Sequence, residues 1–250
     1  MYKYIFIGKV ICEVNICLNP QILQCQAVDA GFIFDTLTTC TNSELHIFVS
    51  NISGKQDFLE LRNYVRDNTR ILIDTLNYAW GTGYDVEISR CIDVSTGATI
   101  IIDERVPELS DRQDERPFPS EKVLALALNS QPLRLALANL REAVRMTGDT
   151  GFFCYRAIES IKQNFYAEQD GKDDKPSWNR LRDALRINRD WIDALTKHYE
   201  ANNQRHGKSP YMLGESRVSA MLHAWKVVDR FCMYLDNGSK PLAQGIEELK

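Results

Sequence analysis

A chain of 250 residues, 44% hydrophobic and 26% charged, is far from a disordered composition and has room for one large domain or two small ones. The net charge of −4 is divided unevenly: residues 1–115 hold 9 basic and 17 acidic residues, a balance of −8, and residues 116–250 hold 21 and 17, a balance of +4. A modestly basic C-terminal half is compatible with a nucleic-acid partner without requiring one, and no stretch has the roughly 20 apolar residues of a membrane-spanning helix.

The first run, "YKYIFIGKVICEVNICL", is apolar but broken by Lys9, Glu13 and Asn15. It reads as strand rather than as the core of a signal peptide. "GFIFDTLTTC" and "ELHIFVSN" are further β-branched and aromatic runs. The period then changes. "DFLELRNYVRDNTRILIDTLNYAW" lacks Gly and Pro and predicts one long helix, stopped by Gly81 and Gly83. "YDVEISRCIDV" and "ATIIIDERV" flank "STG" and predict a hairpin. Residues 1–106 are therefore expected to form a small α+β domain, a mixed sheet with one long helix.

"PELSDRQDERPFPSE" carries three prolines and many charges, so residues 107–120 read as a linker or exposed excursion. From Glu121 to about Leu235 the pattern is helical. "QPLRLALANLREAVRM" has Pro132 at a favourable first-turn position. In "DTGFFCYRAIESIKQNF", Cys154, Ile158, Ile161 and Phe165 form one stripe. "SWNRLRDAL" is a further helix, and "NRDWIDALTKHYEAN" follows with Asn188 as a cap. The last helix, "ESRVSAMLHAWKVVDRFCMYL", puts Val218, Met221, Leu222, Trp225, Val228 and Cys232 on one side. The fold class is thus α+β followed by an all-α bundle over 121–237, with 238–250 as a C-terminal tail.

Seven cysteines, an odd number without a C-x-x-C pair, predict free thiols in a reducing, cytoplasmic compartment. Walker, dinucleotide-binding, nucleophile-elbow and zincin motifs are all missing, and four histidines without cysteine pairs make a structural zinc site unexpected. No cofactor and no metal is expected.

The densest polar cluster is "YEANNQRHGKSPY". Its Asn202, Asn203, Arg205 and His206 unite an imidazole, a guanidinium and two amides after a helical stretch. On other helices, Arg156 and Glu159 lie at i, i+3, and His223, Lys226 and Arg230 lie at i, i+3, i+7. Each is an exposed ion pair or a solvated face unless it turns toward the His206 segment. Trp178, Trp191 and Trp225 each fall on an apolar helical face and read as core.

Taken in order, "GFFCYRAIESIKQNF", "SWNRLRDAL", "ANNQRHGK" and "AWKVVDRFCMYL" resemble a HEPN domain over about residues 121–237, whereas the N-terminal half resembles no family. The resemblance implies a compact helical bundle, usually dimeric, found in RNases of toxin and defence systems and in non-catalytic relatives. It implies metal-independent RNA cleavage, with His206 as the proton carrier, Arg205 on the scissile phosphate and Asn202 or Asn203 as the polar neighbour. Arg156, Glu159, His223, Lys226 and Arg230 would then be binding residues, RNA or a nucleotide the ligand and a second copy the partner. The family's catalytic signature places an arginine four to six residues before the histidine. Here Tyr199, Glu200 and Ala201 hold those positions, and Arg205 is adjacent to His206 instead. A non-catalytic assembly or nucleotide-sensing module, its N-terminal domain binding a partner, is therefore the alternative.

Overall fold

Four strands of ten residues precede the first helix, β1 (Tyr2–Ile11), β2 (Leu18–Ala27), β3 (Phe32–Thr41) and β4 (Glu44–Ser53), and all but β2 are rich in β-branched and aromatic residues. Helix α1 (Phe58–Trp80), β5 (Asp85–Asp93) and the short β6 (Thr99–Ile101) follow. The structure is a computed structural model that describes residues 1–11, 15–27, 31–54, 57–102, 105–170, 173–198 and 214–250. It divides into two units, Met1–Asp103 and Glu104–Lys250.

In the first unit six strands form one sheet in the order β2-β3-β4-β1-β5-β6, each neighbouring pair antiparallel. Strands β3 and β4 meet at Asn42 and Ser43, with φ of 50° and 66°, the left-handed pair that a tight two-residue hairpin needs. Strand β1 lies between β4 and β5, so the chain's first strand is central. Thr38, Ile47, Phe6 and Cys91 stand opposite one another across four strands, and all four are buried. α1 covers this face. Leu61, Val65, Thr69 and Ile73 recur every fourth residue and are buried, Phe58 stacks on Phe6 at 6.1 Å, and Tyr64 meets the edge of Phe32 at 5.7 Å. Arg70 ties the helix to the start of β5 by donating from Nε to Asp85 at 2.9 Å.

The other face of the sheet carries a lateral row of Ile22, Leu37, Phe48, Ile5 and Ile92. These side chains are half-buried, apart from Ile22, which is 78% exposed. Tyr2 lies against Phe48 at 5.1 Å. The β1–β5 register shifts between Ile7 and Gly8, and a Cβ on Gly8 would lie 2.1 Å from the Glu87 carbonyl oxygen.

Strand β2 is absent from the sequence reading. Its "LNPQILQCQA" is too polar, and Pro20 too disruptive, for a central strand. It lies at the sheet edge, where proline is tolerated, and its register shifts between Leu18 and Gln21, around the residue that cannot donate an N–H.

The second unit is helical: α2 (Pro107–Ser110), α3 (Ser120–Asn129), α4 (Gln131–Arg145), α5 (Thr150–Lys162), α6 (Lys175–Leu185), α7 (Arg189–His198) and α8 (Gly214–Asp236). Ser130 caps α4 by accepting from the Leu133 N–H. The stripe Cys154, Ile158, Ile161 and Phe165 is buried as the spacing predicts, against Leu133, Ala136 and Leu140 of α4 and Met221, Ala224, Val228 and Phe231 of α8. Arg217 fastens the end of α4 to the start of α5, donating to the Val144 carbonyl at 2.7 Å and to Thr150 Oγ1 at 2.9 Å. The segment 107–120, expected as a linker or exposed excursion, is exposed along most of its length but adds single residues to this core. Leu109 is buried and Arg116 pairs with Asp229 at 2.9 Å.

The tail also packs. Leu242 is buried and donates its N–H to the Ala184 carbonyl, and Leu249 bridges to Ile187.

Candidate functional site

Asn202, Asn203, Arg205 and His206 lie outside the described residues, as do Tyr199, Glu200, Ala201 and Gly207. The segment they occupy joins α7 to α8, and these two helices carry the most concentrated polar-aromatic group of the unit.

Asn188 starts α7 by accepting the Asp190 N–H at 3.1 Å, which sets the phase of the helix. Ile192 then faces the core and Trp191 lies half-buried at its margin. The Trp191 and His223 rings lie 4.2 Å apart, inclined by 36°, and the indole Nε1 donates to the His223 carbonyl at 3.4 Å. Lys226, one turn further along α8, holds its Nζ 5.6 Å from the Trp191 ring centroid, a cation–π geometry. His223 Nδ1 is 2.8 Å from the Ser219 carbonyl oxygen. A carbonyl only accepts, so Nδ1 carries the proton and the lone pair of the neutral ring is on Nε2. A base-capable imidazole, a cation and an aromatic surface are thus gathered on two helices.

The structure brings together some of the expected residues and separates others. His223 and Lys226 meet at Trp191. Arg230 does not join them, since its Nη2 donates to the Glu247 carbonyl of the tail. Burial first, and then the Arg186 guanidinium, hold the Arg230 pKa below its ordinary value. On α5, Arg156 is exposed with its guanidinium 5.5 Å from the Phe152 ring centroid, and Glu159 is half-buried; no ion pair joins them. Trp191 was assigned to the core by its spacing, and its marginal position was not foreseen. The one signal was Asn188, whose cap fixes which side of α7 turns inward. Among the described residues no three His, Cys, Asp or Glu side chains converge as a metal site.

Fold and site together define an α+β protein in which a six-stranded antiparallel sheet with one long helix precedes a helical unit. Residues 4–102 match the N-terminal domain model and residues 121–236 the C-terminal domain model of DUF8168, a domain of unknown function. The chain belongs to that family. No curated protein and no solved structure matches it.

This corrects the HEPN resemblance: the helical half matches DUF8168, and the N-terminal half, which resembled nothing, matches its companion domain. Among the described residues, aromatic side chains within the stretches that suggested HEPN serve bundle packing. Tyr155 leans on Trp178 at 6.2 Å, and Phe231 and Tyr234 pack around Phe165 at 6.3 and 5.2 Å. Aromatic residues at such spacings fill the core of any short-helix bundle.

Proposed function

We propose that this protein acts on RNA through its helical unit. The observation that carries the reading is Trp191 packed against His223 with Lys226 beside it, on the two helices that the 199–213 segment connects. A half-buried indole offers a stacking surface that every base can use, and an exposed lysine beside it offers a phosphate contact. The +4 balance of residues 116–250 favours the same partner. In this reading His206 carries the proton and Arg205 holds the phosphate, with Asn202 and Asn203 beside them.

Incubation of the purified protein with mixed RNA, without metal, beside a His206→Ala variant tests it. Cleavage by the parent alone, leaving 2′,3′-cyclic phosphate ends, establishes a metal-independent endoribonuclease. Binding by both proteins without cleavage establishes a non-catalytic RNA-binding module. Neither binding nor cleavage sinks the reading.

A second reading is supported by the N-terminal unit. The row Ile22, Leu37, Phe48, Ile5 and Ile92, with Tyr2 beside it, gives the face of the sheet opposite α1 an apolar character suited to a protein partner. We also propose a second copy of the chain as a partner of the helical unit. Leu124, Leu128 and Leu135, exposed on α3 and α4, support this, and sedimentation at two concentrations tests it. The six described cysteines are all free thiols, which supports a reducing, cytoplasmic setting. Among the described residues no helix is long and apolar enough to cross a membrane.

A further inference from the structure

Two arginines that make no ion pair both reach residues 246 and 247. Arg186, the residue after α6, donates from Nε to the Ile246 carbonyl at 2.7 Å. Arg230 of α8 donates from Nη2 to the next carbonyl, that of Glu247, at 2.5 Å. Donation to successive peptide oxygens brings the two guanidinium heads together. Neither makes an ion pair with an aspartate, a glutamate or the chain terminus, and Glu247, the nearest carboxylate in sequence, contributes its main chain to the contact. Arg230 Nη1 is buried without any hydrogen-bond partner. A buried guanidinium N–H normally finds an acceptor, and a second cation beside it makes its absence costlier.

The Glu247 carboxylate reaches Arg230 only through space, so the pair lacks a directly bonded anion and one acceptor. A carbonyl supplies only a dipole, whereas a tetrahedral dianion supplies two charges and several oxygens at the spacing of a guanidinium fork. We propose that Arg186 and Arg230 form a binding site for a phosphate group, which takes the place of the Glu247 carbonyl and accepts from Nη1. The proposal rests on Arg186 and Arg230 alone and does not depend on the RNA reading. The phosphate comes either from the free anion or from a mononucleotide, and the experiment separates the two.

The full-length chain is titrated calorimetrically with inorganic phosphate and, separately, with adenosine monophosphate, at constant ionic strength in chloride. Wild type takes up one phosphate per chain. Arg230→Met weakens the uptake by about tenfold or more, the worth of a hydrogen bond to a charged group. Glu247→Gln, which removes an exposed competing carboxylate, tightens it severalfold. Heat from both ligands assigns the site to phosphate groups in general, and heat from inorganic phosphate alone assigns it to the free anion. No uptake by wild type overturns the proposal, as does equal uptake by wild type and Arg230→Met. Should Arg230→Met fail to fold by circular dichroism, Glu247→Gln decides the question, and unchanged uptake in that variant overturns the proposal.

Discussion

The Trp191 indole donates its N–H to the backbone carbonyl of His223 while its ring lies 4.2 Å from the imidazole of the same residue. One helix residue thus holds the indole twice, by main chain and by side chain, and fixes its plane. A fixed aromatic plane is what base stacking uses. Trp191→Ala should therefore cost about 1–3 kcal/mol of oligoribonucleotide binding, read by fluorescence anisotropy. Lys226→Gln should weaken binding evenly across sequences and lower the salt slope by about one. Anisotropy curves unchanged in both variants would remove Trp191 and Lys226 from any RNA surface.

Asp170 gives the helical unit an acid limit. Its side chain is buried, accepts the Ala167 N–H at 3.0 Å and pairs with Arg180. The Arg180 hydrogen bond holds its carboxyl below the ordinary aspartate value of 3.8. Around that value the folded chain binds fewer protons than the unfolded one. The contribution is therefore complete above about pH 3.8 and drains away as pH falls through the lower folded value. Thermal melts from pH 7 to pH 3 should show Asp170→Asn less stable at neutral pH and flatter on the acid side. Parallel curves for the two proteins would refute this.

The cysteines should separate by reactivity. Burial pushes the Cys91, Cys154 and Cys232 thiols up to about 12, and Cys25 also rises. A thiol at such a value has almost no thiolate at neutral pH and no access to reagent. Cys17 is exposed. Brief iodoacetamide treatment at pH 7.5 followed by peptide mapping should label Cys17 and spare Cys91, Cys154 and Cys232 until the chain is unfolded. Early labelling at Cys154 would contradict the packing between α4, α5 and α8.

Gly8 should resist replacement. A methyl group there would overlap a backbone carbonyl of β5, which cannot rotate aside as a side-chain end could. Gly8→Ala should destabilise the sheet unit by about 2–4 kcal/mol through strain at the β1–β5 bulge, without altering the helical unit. Denaturant titration followed by circular dichroism checks this, and a midpoint equal to wild type would show that the strands separate more easily than their register implies.

Periodicity carried the reading furthest where one side of an element is wet and the other dry. α1 stands out because Leu61, Val65, Thr69 and Ile73 repeat at helical spacing, and Gly81, at φ 66°, ends it. The stripe on α5 was legible for the same reason. β2 was not, because an edge strand buries little and its sequence records mainly what it avoids. In the segment 107–120, exposed over most of its length, prolines and charges masked the single buried Leu109. Of the candidate site, His223 and Lys226 could be paired from their spacing on α8. Their meeting with Trp191 could not, because a contact between helices depends on crossing geometry that no local period records. Arg230 shares the spacing of His223 and Lys226 but is drawn off by a tail that reads as disposable.

Arg186 has a φ of 53°, a backbone shape that glycine adopts freely and that costs other residues about 1–2 kcal/mol. From that position its long side chain spans to Ile246, sixty residues ahead. Glycine there would gain local ease and lose the tether on the Ile246 segment. The strained arginine thus holds residues far along the sequence against α6, and a change at Ile246 would be felt at a helix end sixty positions earlier.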